Sequence, residues 1–158
     1  MNIFYLDSCP VKAAQSMCDS HVNKMINESC QLMVTAHVAL TGERPLGSCA
    51  PTHPNHPCAV WTRESTANYL WLYRHYCALL DEFAYRRRGR KLHMYENHRE
   101  LLSSIPPCPV DTPTKVKQCM PDEYKHKSAV KAYKAYYKLE KQHTIKFEYT
   151  RRVRPDWL

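Results

Sequence analysis

Three side chains that can transfer protons or bind anions share one predicted helix. His21, Lys24 and Glu28 are spaced i, i+3 and i+7 in the stretch MCDSHVNKMINESCQLM. A helix advances about 100° per residue, so these side chains lie on one face, at the rim of an apolar face. A base, a cation and a carboxylate in that position are typical of a cleft wall that houses proton-transfer chemistry. The alternative is a solvated face on which Lys24 and Glu28 form an i,i+4 pair of small energetic value.

The elements that must position these side chains are predicted from capping and helix-breaking residues. Asp7 or Ser8 can cap the first helix, with Pro10 in its first turn, and Pro57 is suited to the first turn of the second. Pro-rich loops follow the first and third predicted helices, and a basic loop, RRRGRK, follows the second. We predict four helices, at about residues 10–40, 57–88, 93–103 and 128–142.

The length and composition favour a mostly α fold, a compact single-domain helical bundle with long Pro-rich loops. The 158 residues are enough to bury a core, and 44% of them are apolar. Only three glycines are present, which argues against a Gly-rich phosphate loop. The sequence has no apolar run long enough for a membrane span and no secretory signal, so we expect a cytoplasmic monomer, in the host cytoplasm if a phage encodes it. One nucleic-acid-acting domain over residues 1–158 is the resulting prediction.

Of the overall properties of the sequence, its net charge is the strongest indication of what the protein binds. Lys and Arg total 23 against 15 acidic residues, a net charge of +8. Such a surplus fits a polyanion, most simply nucleic acid, and the alternative is a solubilising surface. Several basic residues near a predicted helix start or end are candidate contacts to nucleic acid: His56, Arg63, Arg86, Arg87 and Arg88.

The last predicted helix interleaves lysines with tyrosines. Lysines neutralise phosphates and aromatic rings stack on bases, so this pattern favours nucleic-acid binding. The alternative is an amphipathic helix with its tyrosines in the core and its lysines outside. The candidate contacts in this region are Lys125, Lys131, Lys134, Tyr133 and Tyr137.

Asn68 falls in the middle of the apolar face of the second predicted helix, seven residues after Trp61. A buried amide must find hydrogen-bond partners or face a cavity. We therefore take Asn68 as a candidate nucleic-acid contact, with a purely structural hydrogen bond as the open alternative.

The patterns of Cys and His do not predict a metal site or any other cofactor. The eight cysteines include no C-x-x-C pair. Cys18-x-x-His21 has the spacing of a zinc-ligand pair, but the sequence has no second pair that would complete a zinc site. His53 and His56 could hold a metal, but no carboxylate partner is evident, and the helix start beside them suits an anion. The sequence also lacks the motifs of serine hydrolases, P-loop NTPases, zincins and zinc deaminases.

In the order of its segments the chain resembles the small phage pyrimidine-dimer DNA glycosylases with associated abasic-site lyase activity. It has a short N-terminal segment, then a long helix with His21 and Glu28, then a second long helix with aromatic and basic residues. MPDEYK and the basic, Tyr-rich AYKAYYKLEK follow. It is also similar to uncharacterised phage reading frames with DSHVNKM-, NHP- and MPDEYK-type stretches.

The resemblance implies a specific chemistry on double-stranded DNA with a damaged or modified base. A free α-amine attacks the sugar C1′ and displaces the base, a Schiff base forms, and elimination nicks the strand. The resemblance assigns the assisting carboxylate to Glu28. An α-amine with a pKa near 8 is partly neutral at pH 7, as a nucleophile must be.

Residue 2 departs from the pattern of the family, whose nucleophile is a small residue exposed by removal of Met. Here it is Asn2, whose bulk hinders that removal, so the amine can belong to Met1, and Lys24 offers another. Two further hypotheses stay open: a nucleic-acid binder without chemistry, and an enzyme acting on a nucleotide-like ligand.

Overall fold

A computed structural model describes residues 1–158. Seven α-helices and no strands make up the regular structure, apart from a short 3₁₀ turn at Asp122–Tyr124 and a π-helical turn at Tyr137–Lys141. The α-helices are α1 Pro10–Gln15, α2 Asp19–Thr41, α3 Pro57–Glu64, α4 Thr66–Arg86, α5 His98–Leu101, α6 Ala129–Tyr136 and α7 Gln142–Thr144. The predicted mostly α fold is confirmed.

The first predicted helix is interrupted between α1 and α2. Cys18 is extended, with φ −68° and ψ 163°, and α2 begins at Asp19. The break exposes the carbonyl of Met17, which accepts a hydrogen bond from Arg86 Nη1 at 2.8 Å. The helix predicted over about residues 10–40 is thus divided by a short non-helical segment, and this distant side chain satisfies the backbone at the break. Gly42 ends α2 in the left-handed conformation, with φ 77°, which favours glycine.

The second predicted helix is interrupted at Ser65. Its backbone is extended, with φ −154° and ψ 143°, and it forms an isolated parallel bridge with Val110. The Ser65 hydroxyl accepts hydrogen bonds from the N–H groups of Ala67 and Asn68, so it caps α4. No Pro or Gly marks this position, and the break follows from the pairing with the distant Val110 segment.

Of the other two predicted helices, the third is shorter than expected, and the last extends through a π-helical turn to Thr144. Of the third, only the single turn α5 forms, and the residues before it are turns. The last begins as predicted, with the Ser128 hydroxyl accepting a hydrogen bond from the N–H of Lys131. It then widens into the π-helical turn after Tyr136.

The core lies where α2 packs against α3 and α4, and where α1 packs against α4. The N-terminal segment is part of it, since Ile3, Phe4 and Leu6 are buried. The C-terminal segment returns to the α1–α2 break, where the Tyr149 hydroxyl donates to the carbonyl of Ser16 at 3.1 Å. No helix has both the length and the apolar character that a membrane crossing requires.

Candidate active site at the N-terminus

A small pocket of about 250 Å³ opens where the N-terminal segment crosses α2. Its walls come from four places in the chain: residues 1–4, the start of α2, the segment before the 3₁₀ turn, and the end of α6 with the turns that follow. The residues that matter for its chemistry are Met1, Asn2, His21, Lys24, Glu28 and Lys141. All four residues predicted to be catalytic therefore line one pocket.

The Asn2 backbone nitrogen faces the carboxylate of Glu28. It donates a hydrogen bond to Glu28 Oε2 at 2.8 Å. The Glu28 side chain is 15% exposed, so the carboxylate is partly shielded but still reaches the pocket. While Met1 is attached, this nitrogen is an amide and the contact is a hydrogen bond. Removal of Met1 would turn it into an α-amine, whose proton a carboxylate at this distance can accept.

The Asn2 side chain fixes the direction of the chain terminus. Its Oδ1 accepts hydrogen bonds from the N–H groups of Ile3 at 2.8 Å and Phe4 at 3.2 Å. Its Nδ2 donates to the carbonyl of Cys119 at 2.8 Å. Asn2 is 8% exposed, so these bonds are largely shielded from water. Together they hold the Asn2 nitrogen against Glu28.

Lys24 forms the outer edge of the pocket. Its Nζ lies 3.6 Å from Glu28 Oε1, one turn away on α2. The Lys24 side chain is 62% exposed, so the pair is solvated and contributes little to stability. Lys24 thus places a solvated positive charge beside the carboxylate.

His21 lies deeper and is 3% exposed. Its Nδ1 is 3.0 Å from the Tyr137 hydroxyl, and its ring lies 4.6 Å from the ring of Phe4. Burial lowers the pKa of His21 to about 4, and the positive charges of Lys24 and Lys141 act in the same direction. The imidazole is therefore neutral at pH 7, and it borders the pocket as a polar but uncharged group.

A second cluster lies beside Asn2, where α3 begins. His56 Nδ1 accepts a hydrogen bond from the N–H of Cys58 at 3.2 Å and so caps α3. The sulfurs of Cys58 and Cys119 are 3.4 Å apart. Burial lowers the pKa of His56, the α-amino group adds to this, and Glu28 acts in the opposite sense. The electrostatics of His56 are thus coupled to the terminus and to Glu28.

Asn68 takes the structural role that the sequence left open. It is 1% exposed, and its Nδ2 donates to the carbonyl of Trp61 and to Thr114 Oγ1. Its Oδ1 accepts from the N–H of Thr114 at 3.0 Å. Every polar atom of the amide is satisfied inside the protein, so Asn68 has no free group for a DNA contact.

Arg86 is also buried, contrary to its proposed contact with DNA. Its guanidinium lies 3.1 Å from the Glu82 carboxylate and 2.9 Å from that of Asp19. Its neighbours in the basic run are exposed: the Arg87 guanidinium lies over the Phe83 ring at 3.6 Å, and Arg88 adopts φ 57°. Only Arg87 and Arg88 of this run are available to a ligand.

The tyrosines of the last helix belong to the core, which was the alternative interpretation. Tyr133 and Tyr137 are fully buried, so burial rules out base stacking by either ring. Lys125 and Lys131 are exposed, and the Lys134 ammonium lies 5.1 Å from the centre of the Trp157 ring.

Arg63 is half-buried at the other side of α3. Its Nη1 donates to the carbonyl of Pro54 at 2.6 Å, so it braces the loop before α3. Part of its guanidinium remains accessible, and it stays a candidate for a phosphate contact.

A basic concavity that the sequence did not single out lies on the loop before α6. Its lining includes four lysines with one histidine and one glutamine: Lys115, Lys117, Lys125, Lys127, His126 and Gln118. Lys117 is paired with Glu64 at 3.1 Å and Lys125 with Asp122 at 2.6 Å. Residues 115–118 and 125–127 form this surface, and Lys125 is the one residue among them that was predicted as a contact from the sequence.

Sequence reasoning missed several residues of the pocket, among them Phe4, Cys119 and Lys141. Cys119 carried no spacing signal, because its partners Asn2 and Cys58 are far away in sequence. Lys141 was seen only as one of many lysines in a basic segment. The N-terminal crossing brings all three to Glu28.

Comparisons with curated proteins and with solved structures found no significant match. A family model described as pyrimidine dimer DNA glycosylase matches residues 1–103 of the 158-residue chain. The matched part contains Asn2, His21, Lys24 and Glu28, but ends before Cys119 and the basic concavity. The chain therefore belongs to the pyrimidine dimer DNA glycosylase family.

Proposed function

We propose that the protein is a DNA glycosylase with abasic-site lyase activity that acts on damaged or modified pyrimidines in duplex DNA. The observation that carries this proposal is the 2.8 Å contact between the Asn2 backbone nitrogen and the Glu28 carboxylate. Family membership supports the reaction class, and the contact brings the N-terminal end of the chain, which carries the α-amine, to a carboxylate, as such a reaction needs.

The proposed reaction begins with attack of a neutral amine on the sugar C1′. The bond from C1′ to the base breaks, and the base leaves with the bonding electrons and then gains a proton. The attached nitrogen loses a proton, the C1′–O4′ bond breaks, and O4′ gains a proton as the sugar ring opens. A protonated imine then joins the nitrogen to C1′. Loss of a proton from C2′ then expels the 3′ phosphate and cuts the strand.

Glu28 is the proposed general base of this reaction. As a carboxylate it accepts the proton that the attacking amine loses, and it stabilises positive charge that develops at C1′. The partial shielding of its side chain, 15% exposed, strengthens that electrostatic effect relative to open water. The target nucleotide must leave the base stack for its C1′ to come this close.

The proposed nucleophile is the α-amine at the N-terminal end of the chain. With Met1 in place this is the Met1 amine, and after removal of Met1 it is the amine of Asn2. Lys24 is the alternative, but its side chain is 62% exposed and its ammonium faces water as well as Glu28. The buried hydrogen bonds of the Asn2 side chain give the terminus the fixed direction that Lys24 lacks.

The proposed DNA surface consists of exposed cations and includes the basic concavity. Lys115, Lys125 and Lys127 line that concavity and Lys131 follows on α6. The exposed Arg87 and Arg88 and the half-buried Arg63 are further candidates for phosphate contacts. Buried Asn68, Arg86, Tyr133 and Tyr137 have no place in it.

A second candidate is a DNA-binding protein without the chemistry. The observation that favours it is that the nitrogen facing Glu28 is the amide of the Met1–Asn2 bond, which is not nucleophilic. The two candidates make the same prediction for DNA binding and opposite predictions for covalent chemistry.

Borohydride trapping tests the proposal. The protein is mixed with labelled duplexes that carry an abasic site, a cyclobutane pyrimidine dimer or no lesion. We expect a reduced covalent adduct on the abasic duplex, and on the dimer duplex if that lesion is the substrate. Tight binding with no adduct on any duplex would instead support the second candidate.

A further inference from the structure

Three potential metal ligands meet at the edge of the pocket, and the proposed reaction uses none of them. The ligand atoms of His56, Cys58 and Cys119 all lie within 4.8 Å of one another. The two sulfurs are 3.4 Å apart. Two thiolates bound to tetrahedral zinc at about 2.3 Å are separated by about 3.8 Å, so a small movement makes room for the ion.

The backbone presents these donors in fixed positions. His56 and Cys58 flank Pro57 at the first turn of α3, where the ring of proline restricts the chain. Both backbone polar groups of Cys119 form hydrogen bonds. Its carbonyl accepts a hydrogen bond from Asn2 Nδ2, and its N–H donates one to the Tyr133 hydroxyl. A site whose ligands are already ordered loses little conformational entropy when it binds a metal.

The third donor distinguishes this cluster from the other close pair of thiols. Cys30 and Cys49 have sulfurs 3.1 Å apart, but no His, Asp or Glu completes a group of three there. Two cysteines with one histidine form a donor set that zinc prefers. Cys119 lies outside residues 1–103, so the match to the family does not account for the cluster.

We propose that His56, Cys58 and Cys119 bind one Zn²⁺ ion, with a water molecule in the fourth position on the pocket side. This differs from the expectation of no metal drawn from the sequence. Binding converts two thiols to thiolates and releases two protons, without oxidation or reduction. If Nδ1 is the ligand atom of His56, its cap bond from Cys58 N–H gives way to the metal, because a neutral imidazole has one unprotonated nitrogen.

The ion would tie α3 to the segment that anchors the terminus. Cys119 accepts the hydrogen bond from Asn2, and Asn2 in turn faces Glu28. Zinc is therefore expected to hold the N-terminal segment in place, whatever reaction the pocket performs. The proposal is independent of the proposed glycosylase activity.

Cobalt substitution is the direct test. Full-length protein is reduced, freed of metal with a chelator and titrated with Co²⁺, and bound Zn²⁺ is measured by competition. We expect one equivalent of metal, a near-ultraviolet thiolate-to-cobalt band and the strong visible bands of tetrahedral Co²⁺. Cys119→Ser should lower Zn²⁺ affinity by more than about 100-fold, since changes outside the ligand shell alone cost 10–100-fold.

Two variants separate ligand loss from misfolding. His56→Asn keeps a good helix cap but removes the imidazole, and it should also weaken Zn²⁺ binding by more than about 100-fold. Cys49→Ser removes a thiol from the other close pair and should leave binding unchanged. Circular dichroism checks that each variant is folded. The proposal is overturned if the reduced protein binds no metal, if Cys49→Ser weakens binding equally, or if fresh protein carries a Cys58–Cys119 disulfide instead.

Discussion

The backbone nitrogen of Asn2 and the carboxylate of Glu28 are hydrogen-bonded at 2.8 Å, although 26 positions separate them in sequence. The contact exists because the N-terminal segment is buried: Ile3, Phe4 and Leu6 pack into the core, and Asn2 is held by its own side chain. The helix supplies the carboxylate and the crossing segment supplies the nitrogen. Chemistry at the terminus thus depends on core packing as much as on the reacting groups.

Glu28→Gln should abolish most of the chemistry and leave DNA binding intact. The amide cannot accept the proton of an attacking amine, and losses of about 100-fold or more are typical for a general base. Single-turnover cleavage of an abasic duplex gives the rate, and fluorescence anisotropy gives the affinity.

Glu43→Gln is the matched control for that change. Glu43 is exposed just beyond α2, far along the helix from the pocket, so the rate should stay at the wild-type value. Equal rates for Glu28→Gln and wild type would remove Glu28 from the mechanism.

Arg86→Met should destabilise the fold by about 3 kcal/mol. The Arg86 side chain is 2% exposed and binds Glu82, Asp19 and the carbonyl of Met17. Its removal leaves the buried Glu82 with Arg152 as its remaining charged partner and takes away the side-chain donor to Met17. Urea unfolding measures the loss. The exposed Arg90→Met should change stability by less than about 0.5 kcal/mol, and a similar loss there would contradict the assigned role of Arg86.

Stability should fall as the pH drops from about 6.5 to about 4. Burial lowers the pKa of both His21 and His75 to about 4. In that window the unfolded chain binds protons at these histidines and the folded protein does not, so acid favours unfolding. The expected loss is about 3 kcal/mol for each histidine by pH 4.

Proton NMR checks the two histidines directly. Their ring signals should still be those of neutral imidazoles at pH 5.5. His21→Gln should reduce the pH dependence of urea unfolding, whereas the exposed His143→Gln should leave it unchanged. Titration of both buried rings near pH 6.5 would contradict this assignment.

Charge removal in the basic concavity should weaken binding to all DNA sequences alike. Lys115 and Lys127 line it, and neutralising a lysine that binds a phosphate reduces the slope of log K against log salt by about 1. Lys146→Gln is the control, because Lys146 is 79% exposed but paired with Glu148 elsewhere on the surface. An unchanged slope for Lys115→Gln with Lys127→Gln would place the DNA on another surface.

The stripe of His21, Lys24 and Glu28 was predictable because helical spacing alone puts them on one face. Their different environments were not. His21 is buried by Phe4 and Tyr137, which are distant in sequence, while Lys24 projects into water. Helical spacing predicts on which face of the helix a side chain lies. It does not predict which distant residues pack over that side chain.

The helix breaks show the same limit. The residues around Ser65 include no Pro or Gly that would predict a helix break. The extended backbone at Ser65 is explained by its pairing with Val110, which is distant in sequence. The position of Asn68 on an apolar face correctly predicted that its amide needs hydrogen-bond partners. The partner Thr114 could not be identified, because it lies 46 residues away in sequence. The aromatic and basic pattern of α6 was compatible with nucleic-acid binding and with packing in the core. Tyr133 is buried, so its ring belongs to the core.

Peptide mapping of the borohydride-reduced adduct identifies the nucleophile. After trapping on an abasic duplex, the protein is digested and the peptide that carries the reduced sugar is sequenced by mass spectrometry. We expect the modification on the α-amine of the N-terminal peptide, at Met1 or Asn2. Modification of Lys24, or of any other lysine, would contradict it.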